Sequence, residues 1–360
     1  MPDGILTIHP DMEAVMDQAV EKGASDILIT VGLPPVLRLA GTLTPVAEMA
    51  VLTPEATQAM LLSLISDMQV SRLEEQRDID FSVTSSKGGR FRVNLFYQNG
   101  SLAAALRLIP SVTGTLESLG LPVILQRFAS AKQGLVLMTG PAGHGKTTTI
   151  AALLDLINST RNEHIITVED PIEFIHSSKS CVVEQREVHR DTTSFASALR
   201  AVFREDPNVV VVGEMRDAET VEAALTIAET GHLVFASLHT SDAAQTADRI
   251  ITIFPDTQQQ QIRNVLAASL LGVTCQRLVP RADGKGRIPA VEIMIANPAV
   301  RNLIREGKTH LLPNTIATAT EEGMISLDRA LAELVQKGTV KYEDAELFSS
   351  DPKTFAKMIF

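Results

Sequence analysis

The sequence predicts two domains in series, an α+β domain followed by an α/β domain built on a buried parallel sheet. Three observations predict this. Residues Gly140-Pro141-Ala142-Gly143-His144-Gly145-Lys146-Thr147 match the pattern G-x-x-x-x-G-K-[ST] at every fixed position, between an apolar run and an amphipathic stretch. Further short apolar runs follow, and each ends in polar or acidic residues, the behaviour of parallel strands buried on both faces. Ile109-Pro110-Ser111-Val112-Thr113-Gly114 interrupts the pattern with Pro, Gly and small polar residues, which marks a linker. The boundaries follow as 1–109 for the first domain, 110–120 for the linker and 121–360 for the second domain with its C-terminal helices.

Composition narrows the class. At 360 residues and 45% hydrophobic content the chain can bury a sizeable core. A net charge of -11 argues against wrapping nucleic acid, which takes basic surface to displace counterions. Cys181 and Cys275 stand alone, so the sequence carries neither a disulfide framework nor a zinc-ligand set. No apolar run reaches membrane-spanning length and the N-terminus lacks a signal-peptide pattern, so a cytoplasmic location is expected.

In the first domain, Met12, Val15, Met16 and Val20 share one face of a helix over 12–23. Residues 25–30 read as a strand, Gly32-Leu33-Pro34-Pro35 as a turn, and Val36-Leu37-Arg38-Leu39 as a returning strand. A second helix is expected over 54–66. Strands over 90–96 and 102–108 follow, joined by Gln98-Asn99-Gly100-Ser101. Arg92 and Arg107 lie one on each of these last strands; by residue type alone such arginines are surface or ion-paired groups more often than functional ones.

The second domain opens on Leu135-Val136-Leu137-Met138, a buried strand feeding the glycine-rich loop. Ile150, Leu153, Leu154 and Ile157 then mark one helix face. Gly140, Gly143 and Gly145 allow several N–H groups to converge on one anion, and the helix start adds its own unpaired donors. Lys146 supplies a charge for the β- and γ-phosphates, and the Thr147 hydroxyl can ligate Mg²⁺. His164-Ile165-Ile166-Thr167-Val168 is the next strand. Pro171 stops it, which leaves Glu169 and Asp170 at its carboxyl end, where open α/β sheets place ligands. Val209-Val210-Val211-Val212-Gly213-Glu214 is a third strand, too β-branched for a comfortable helix. Gly213 takes the place of the usual magnesium-holding Asp, so Glu214 is set to polarise an attacking water and Mg²⁺ relies on Thr147 and waters. The strand over 233–238 ends in His239-Thr240-Ser241 and makes His239 a candidate γ-phosphate sensor, while His232 before it is ambiguous. Arg200 and Arg204, expected on the helix before the valine strand, and Arg216 are read as intrachain ion-pair partners.

Four motifs therefore stand in order: GPAGHGKTTT, TVEDPIEF, VVVVGEMRD and GHLVFASLHT. This series resembles the Walker A, Asp box, atypical Walker B and His box of the secretion and type IV pilus ATPases, and within them the PilT/PilU-type retraction ATPases. The likeness runs nearly end to end. Pro298-Ala299-Val300-Arg301-Asn302-Leu303-Ile304-Arg305 resembles their AIRNLIR motif and, read bare, is an amphipathic helix with Pro at its start.

The resemblance implies a PAS-like N-terminal domain and a RecA-like P-loop NTPase domain. It also implies a homo-hexameric ring that hydrolyses ATP with Mg²⁺ and powers pilus retraction and twitching motility. ATP would lie between the two domains, with Arg92 and Arg107 on its phosphates. Gly140, Ala142, Gly143, His144, Gly145, Lys146, Thr147 and Thr148 would form the nucleotide loop, and Glu169, Glu214 and His239 the catalytic set. Expected partners are an inner-membrane pilus platform protein and a paralogous pilus ATPase, reached from the inner face of the cytoplasmic membrane; nucleic acid is not expected. The basic face of Arg301 and Arg305 is the candidate grip on the platform. This sequence departs from the family pattern in Val300 for isoleucine, in His144 where serine is usual, and in the turn Asn99-Gly100-Ser101, which lacks an arginine. An accessory subunit dependent on a sister ATPase is the alternative of another class. A pilus extension or type II secretion ATPase is disfavoured by the missing four-cysteine element, and a DNA helicase by the acidic balance.

Overall fold

The computed structural model describes residues 7–39, 41–109 and 114–360. Residues 110–113 of the expected linker lie outside that set. The chain divides into two compact units, Met1–Val112 with Glu173–Ile175, and Thr113–Ile172 with His176–Phe360.

The first unit holds strands β1 (Asp26–Ile29), β2 (Val36–Leu39), β3 (Thr42–Pro45), β4 (Asp78–Thr84), β5 (Arg90–Gln98) and β6 (Ser101–Ile109). They form one antiparallel sheet in the order β3-β2-β1-β6-β5-β4. Alternation decides its faces: Phe91, Val93 and Leu95 of β5 are fully buried while Arg90, Arg92 and Asn94 between them are not. The buried face joins Met12, Val15, Met16 and Ala19 of the helix Pro10–Lys22 in one core. Between β5 and β6, Asn99 and Gly100 both have positive φ, 50° and 79°, the two-residue hairpin turn that matches strand twist.

Three elements depart from the sequence reading. The helix expected over 54–66 ends at Leu62, and a separate helix Asp67–Gln76 begins at Ser66 with a full capping box to Gln69. β3 is exposed at all four positions, so it carries no apolar alternation by which to recognise it. β4 has that alternation only in part, in the pattern Asp-Ile-Asp-Phe.

The second unit has β7 (Gly134–Thr139), β8 (His164–Glu169), β9 (Val182–Glu187), β10 (Val209–Val212), β11 (Leu233–Ser237), β12 (Leu270–Pro280) and β13 (Arg287–Ile295). The order is β13-β12-β7-β11-β10-β8-β9, parallel throughout except the β12–β13 pair. Leu135 to Met138 and Leu233 to Ala236 are fully buried, as expected of strands covered on both faces. Ile150, Leu153, Leu154 and Ile157 of the helix Lys146–Thr160 enter the same core. The helix before β10 is Phe195–Val202, so Arg204 lies beyond its end and is not an i, i+4 helical partner of Arg200. A smaller core around Leu331, Val340 and Phe355 fastens the C-terminal helices Leu327–Gln336 and Pro352–Ile359 to Val279 of β12 and Ala290 of β13. Among the described residues no helix is long and apolar enough to cross a membrane.

Candidate active site

The strand order brings the motifs together. The glycine-rich loop follows β7, Glu214 follows β10, and β11 lies between them and ends just before His239. A side chain at the tip of β11 can therefore reach both neighbours. His239 does: its Nδ1 lies 3.4 Å from Lys146 Nζ and its Nε2 3.1 Å from Glu214 Oε1. An ammonium can only donate, so Nδ1 is the acceptor and Nε2–H donates to the carboxylate. The neutral Nε2–H tautomer meets both contacts.

Lys146 is nearly buried, and its Nζ donates to the carbonyls of Gly140 at 2.8 Å and Pro141 at 3.0 Å. The helix Lys146–Thr160 starts at Gly145 with no side-chain cap and no acidic residue in its first turn, so its dipole and first N–H groups favour an anion at the loop. Thr147 and Thr148 sit half-buried on its first turn beside the exposed Ala142 and Gly143. The Thr147 hydroxyl and the strand-end carboxylates are hard oxygen donors, the chemistry Mg²⁺ takes, so the residues present fit that ion.

Glu214 is held from two sides, by His239 and by Arg216 Nη2 at 2.7 Å from Oε2. The Arg216 guanidinium is the chief reason the Glu214 carboxyl lies below its ordinary pKa, with His239 adding to it and burial opposing. Gly213 has a steric explanation. A Cβ there would come within 3.2 Å of the Glu169 Cα and the Val168 carbonyl on the adjacent strand, a tight contact with backbone that favours glycine. Glu169 is almost buried, with Oε1 accepting from Thr167 Oγ1 at 2.6 Å and Gln185 Nε2 at 3.3 Å. It ends β8, beside β10, the strand that Glu214 follows.

His144 occupies the loop with a defined role. Its Nδ1 accepts from the Leu278 N–H at 2.9 Å, and burial, followed by the charges of Arg277, Arg287 and Lys146, lowers its pKa. The ring is thus held neutral. His232 is structural: its Nδ1 lies 3.0 Å from the Ile227 carbonyl at the end of the helix Ala218–Glu229. Arg200 pairs with Glu219 and Arg216 with Glu214, as intrachain ion pairs.

Arg92 and Arg107 are direct cross-strand partners on the sheet face away from the first unit's core. Like charges so placed repel, and Asp26 on β1 offsets this by accepting from Arg107 Nε at 3.1 Å while also pairing with Arg38 at 3.3 Å. Sequence reasoning passed over Asp26 and Arg38, since the row Arg38–Asp26–Arg107–Arg92 exists only in register.

The basic face expected of Pro298–Arg305 needs correction. Arg301 donates from Nε to the Ala296 carbonyl at 2.9 Å and from Nη1 to the carbonyls of Ala267 and Ala268, closing the C-terminus of the helix Asp256–Ser269. Its guanidinium is committed internally, because four C-terminal carbonyls of any helix lack intrahelical donors.

The family model for Type II/IV secretion system protein matches residues 3–346. The chain is 45% identical over 345 residues to the Type IV pilus retractation ATPase PilT of Pseudomonas aeruginosa, covering 96% of this chain and 100% of that one. It is 45% identical over 311 residues to a twitching motility protein of Neisseria gonorrhoeae, covering 86% and 83%. Its structure is similar to the crystal structure of the pilus retraction motor PilT with bound ADP, at a TM-score of 0.88, 47% identity and coverage of 96% and 98%. The chain belongs to the type II/IV secretion system protein family.

Proposed function

We propose that this protein is an ATP-hydrolysing motor that powers type IV pilus retraction, working as a homo-hexamer at the cytoplasmic face of the membrane. The observation that carries the enzymatic part is the single file Lys146–His239–Glu214, spanning the phosphate loop and the carboxylate two strands away. The retraction part rests on the relatives named as retraction ATPase and twitching motility protein.

Lys146 and the open N–H groups of the loop bind the β- and γ-phosphates, which displace the loop carbonyls as partners of Nζ. Glu214 takes a proton from a water whose oxygen attacks the γ-phosphorus while the bond to the bridging oxygen breaks, giving ADP and phosphate. His239, in contact with both Lys146 and Glu214, senses whether the γ-phosphate is present and orients the carboxylate. Glu169, at the end of β8, is the second carboxylate of the catalytic set. Thr147 and waters would hold Mg²⁺, which would supply charge to neutralise the phosphates. The partners are an inner-membrane platform protein and a paralogous pilus ATPase.

Glu214→Gln tests the chemistry. It keeps the shape but removes the base, so turnover should fall about 10²-fold or more while ADP and ATP still bind. Hydrolysis at the parent rate refutes the assignment. A deletion strain tests the biology: excess surface fibres without twitching are expected, and normal twitching overturns the retraction reading.

A further inference from the structure

Two of the three loop glycines are shaped by one residue that no sequence motif singles out. Gln276 lies on β12, next to β7 on the side opposite β11, and is 2% exposed between Cys275 and Arg277. A Cβ at Gly140 would stand 2.4 Å from the Gln276 carbonyl oxygen, and one at Gly145 would stand 2.7 Å from its Nε2. Gly143, by contrast, faces open space. The loop is thus packed at both ends against the backbone and side chain of Gln276.

Both ends of the buried amide are used. Oε1 accepts from Thr149 Oγ1 at 2.8 Å, and Nε2 donates to the His144 carbonyl at 2.9 Å. A carbonyl can only accept, so the amide has one orientation. Thr149 is 1% exposed and shares its hydroxyl with the Gly145 carbonyl at 3.1 Å. Two more contacts join the same hairpin to the loop: the Leu278 N–H to His144 Nδ1, and Arg287 Nη1 to the Gly143 carbonyl at 3.4 Å.

We propose that Gln276 is a positioning residue for phosphate binding, setting which way the His144–Gly145 peptide faces. The reasoning is planar geometry. In a trans peptide the carbonyl and the following N–H point in opposite directions. Gln276 draws the His144 carbonyl towards β12, so the Gly145 N–H is turned away from β12, free for an anion in the loop. Gly145 sits at positive φ, 84°, and without the Nε2 bond its flanking peptide can rotate, because glycine tolerates the alternatives. A rotated peptide would offer the phosphates a carbonyl dipole in place of a donor. Thr149 locks the amide from the helix side and so carries the orientation into the first turn of Lys146–Thr160. This inference rests on the nucleotide site proposed above.

Calorimetric titration of the full chain with ADP tests it, alongside the melting temperature of the nucleotide-free protein. Gln276→Met keeps the length and burial but removes both hydrogen bonds. Gln276→Glu keeps the acceptor for Thr149 and loses the donor to His144. Both should raise the ADP dissociation constant about tenfold or more, and KM for ATP should rise by a larger factor than kcat falls. Should either variant fail to fold, Thr149→Val, which frees the amide, should weaken ADP binding about threefold, and Thr149→Ser should restore it. Parent-like ADP affinity in a folded Gln276→Met, or equal affinity in the two Thr149 variants, overturns the positioning role and leaves the nucleotide site standing. A parent protein that binds no ADP overturns both.

Discussion

Glu292→Gln should stabilise the protein above neutral pH, and the gain should shrink as the pH falls. Glu292 lies on β13 opposite Cys275 and accepts from the Ala243 N–H at 2.8 Å, at the start of the helix that follows the His239 loop. Burial pushes its carboxyl from 4.5 up to about 7, with Asp242 adding to the rise and the Ala243 and Leu327 amides and Arg277 opposing it. The folded state therefore holds this proton more tightly than the unfolded chain. Stability falls as the pH rises from the unfolded value to about 7 and is flat beyond. With 1.36 kcal/mol per unit, the raised pKa lowers stability relative to acid pH by about 1 kcal/mol at pH 5, where only the unfolded chain ionises, and by about 3 kcal/mol at pH 8. Gln supplies the same acceptor to Ala243 and does not titrate, so the variant-minus-parent difference should grow by about 2 kcal/mol between those pH values. Urea unfolding followed by circular dichroism at several pH values measures it. Any constant effect of the substitution on packing drops out of that slope. A difference that is the same at pH 5 and pH 8 would falsify the buried-carboxylate account.

Three more outcomes follow from the same geometry. Arg216→Ala removes the main influence holding Glu214 below its ordinary range, so the acidic limb of the ATPase pH profile should move to higher pH; an unmoved limb means Glu214 is not the group titrating. Arg107→Ala removes an exposed ion pair with Asp26 and should lower stability by only about 0.2–1 kcal/mol, read from the urea midpoint; a larger loss would mean the pair is more than a surface contact. Leu153, fully buried in the larger core, should cost about 2–5 kcal/mol on truncation to Ala, read as a lower urea midpoint.

The sequence by itself determined the chemistry-bearing parts of this protein. A parallel strand buried on both faces must be apolar along its length and must hand over to polar residues at its carboxyl end. For that reason β7, β8, β10 and β11 and the residues that follow them were legible, as was the amphipathic face of Lys146–Thr160. Elements whose stability comes from a neighbour left no such mark. β3 is exposed throughout, and β9 lies at an edge with a mixed pattern. The helix Asp67–Gln76 did carry a readable sign in its Ser66–Gln69 capping box.

Only the tertiary structure decided which motifs meet. Strand order is a matter of pairing, and nothing local in His239 says that β11 lies between β7 and β10. Nor could spacing show that Arg301 closes a distant helix end, or that Arg92 and Arg107 share one row with Asp26. Gln276 is the plainest case: it stands more than a hundred residues from the loop it packs against. Local sequence encodes period and backbone freedom, whereas a contact between separated segments depends on register, which the whole fold sets at once.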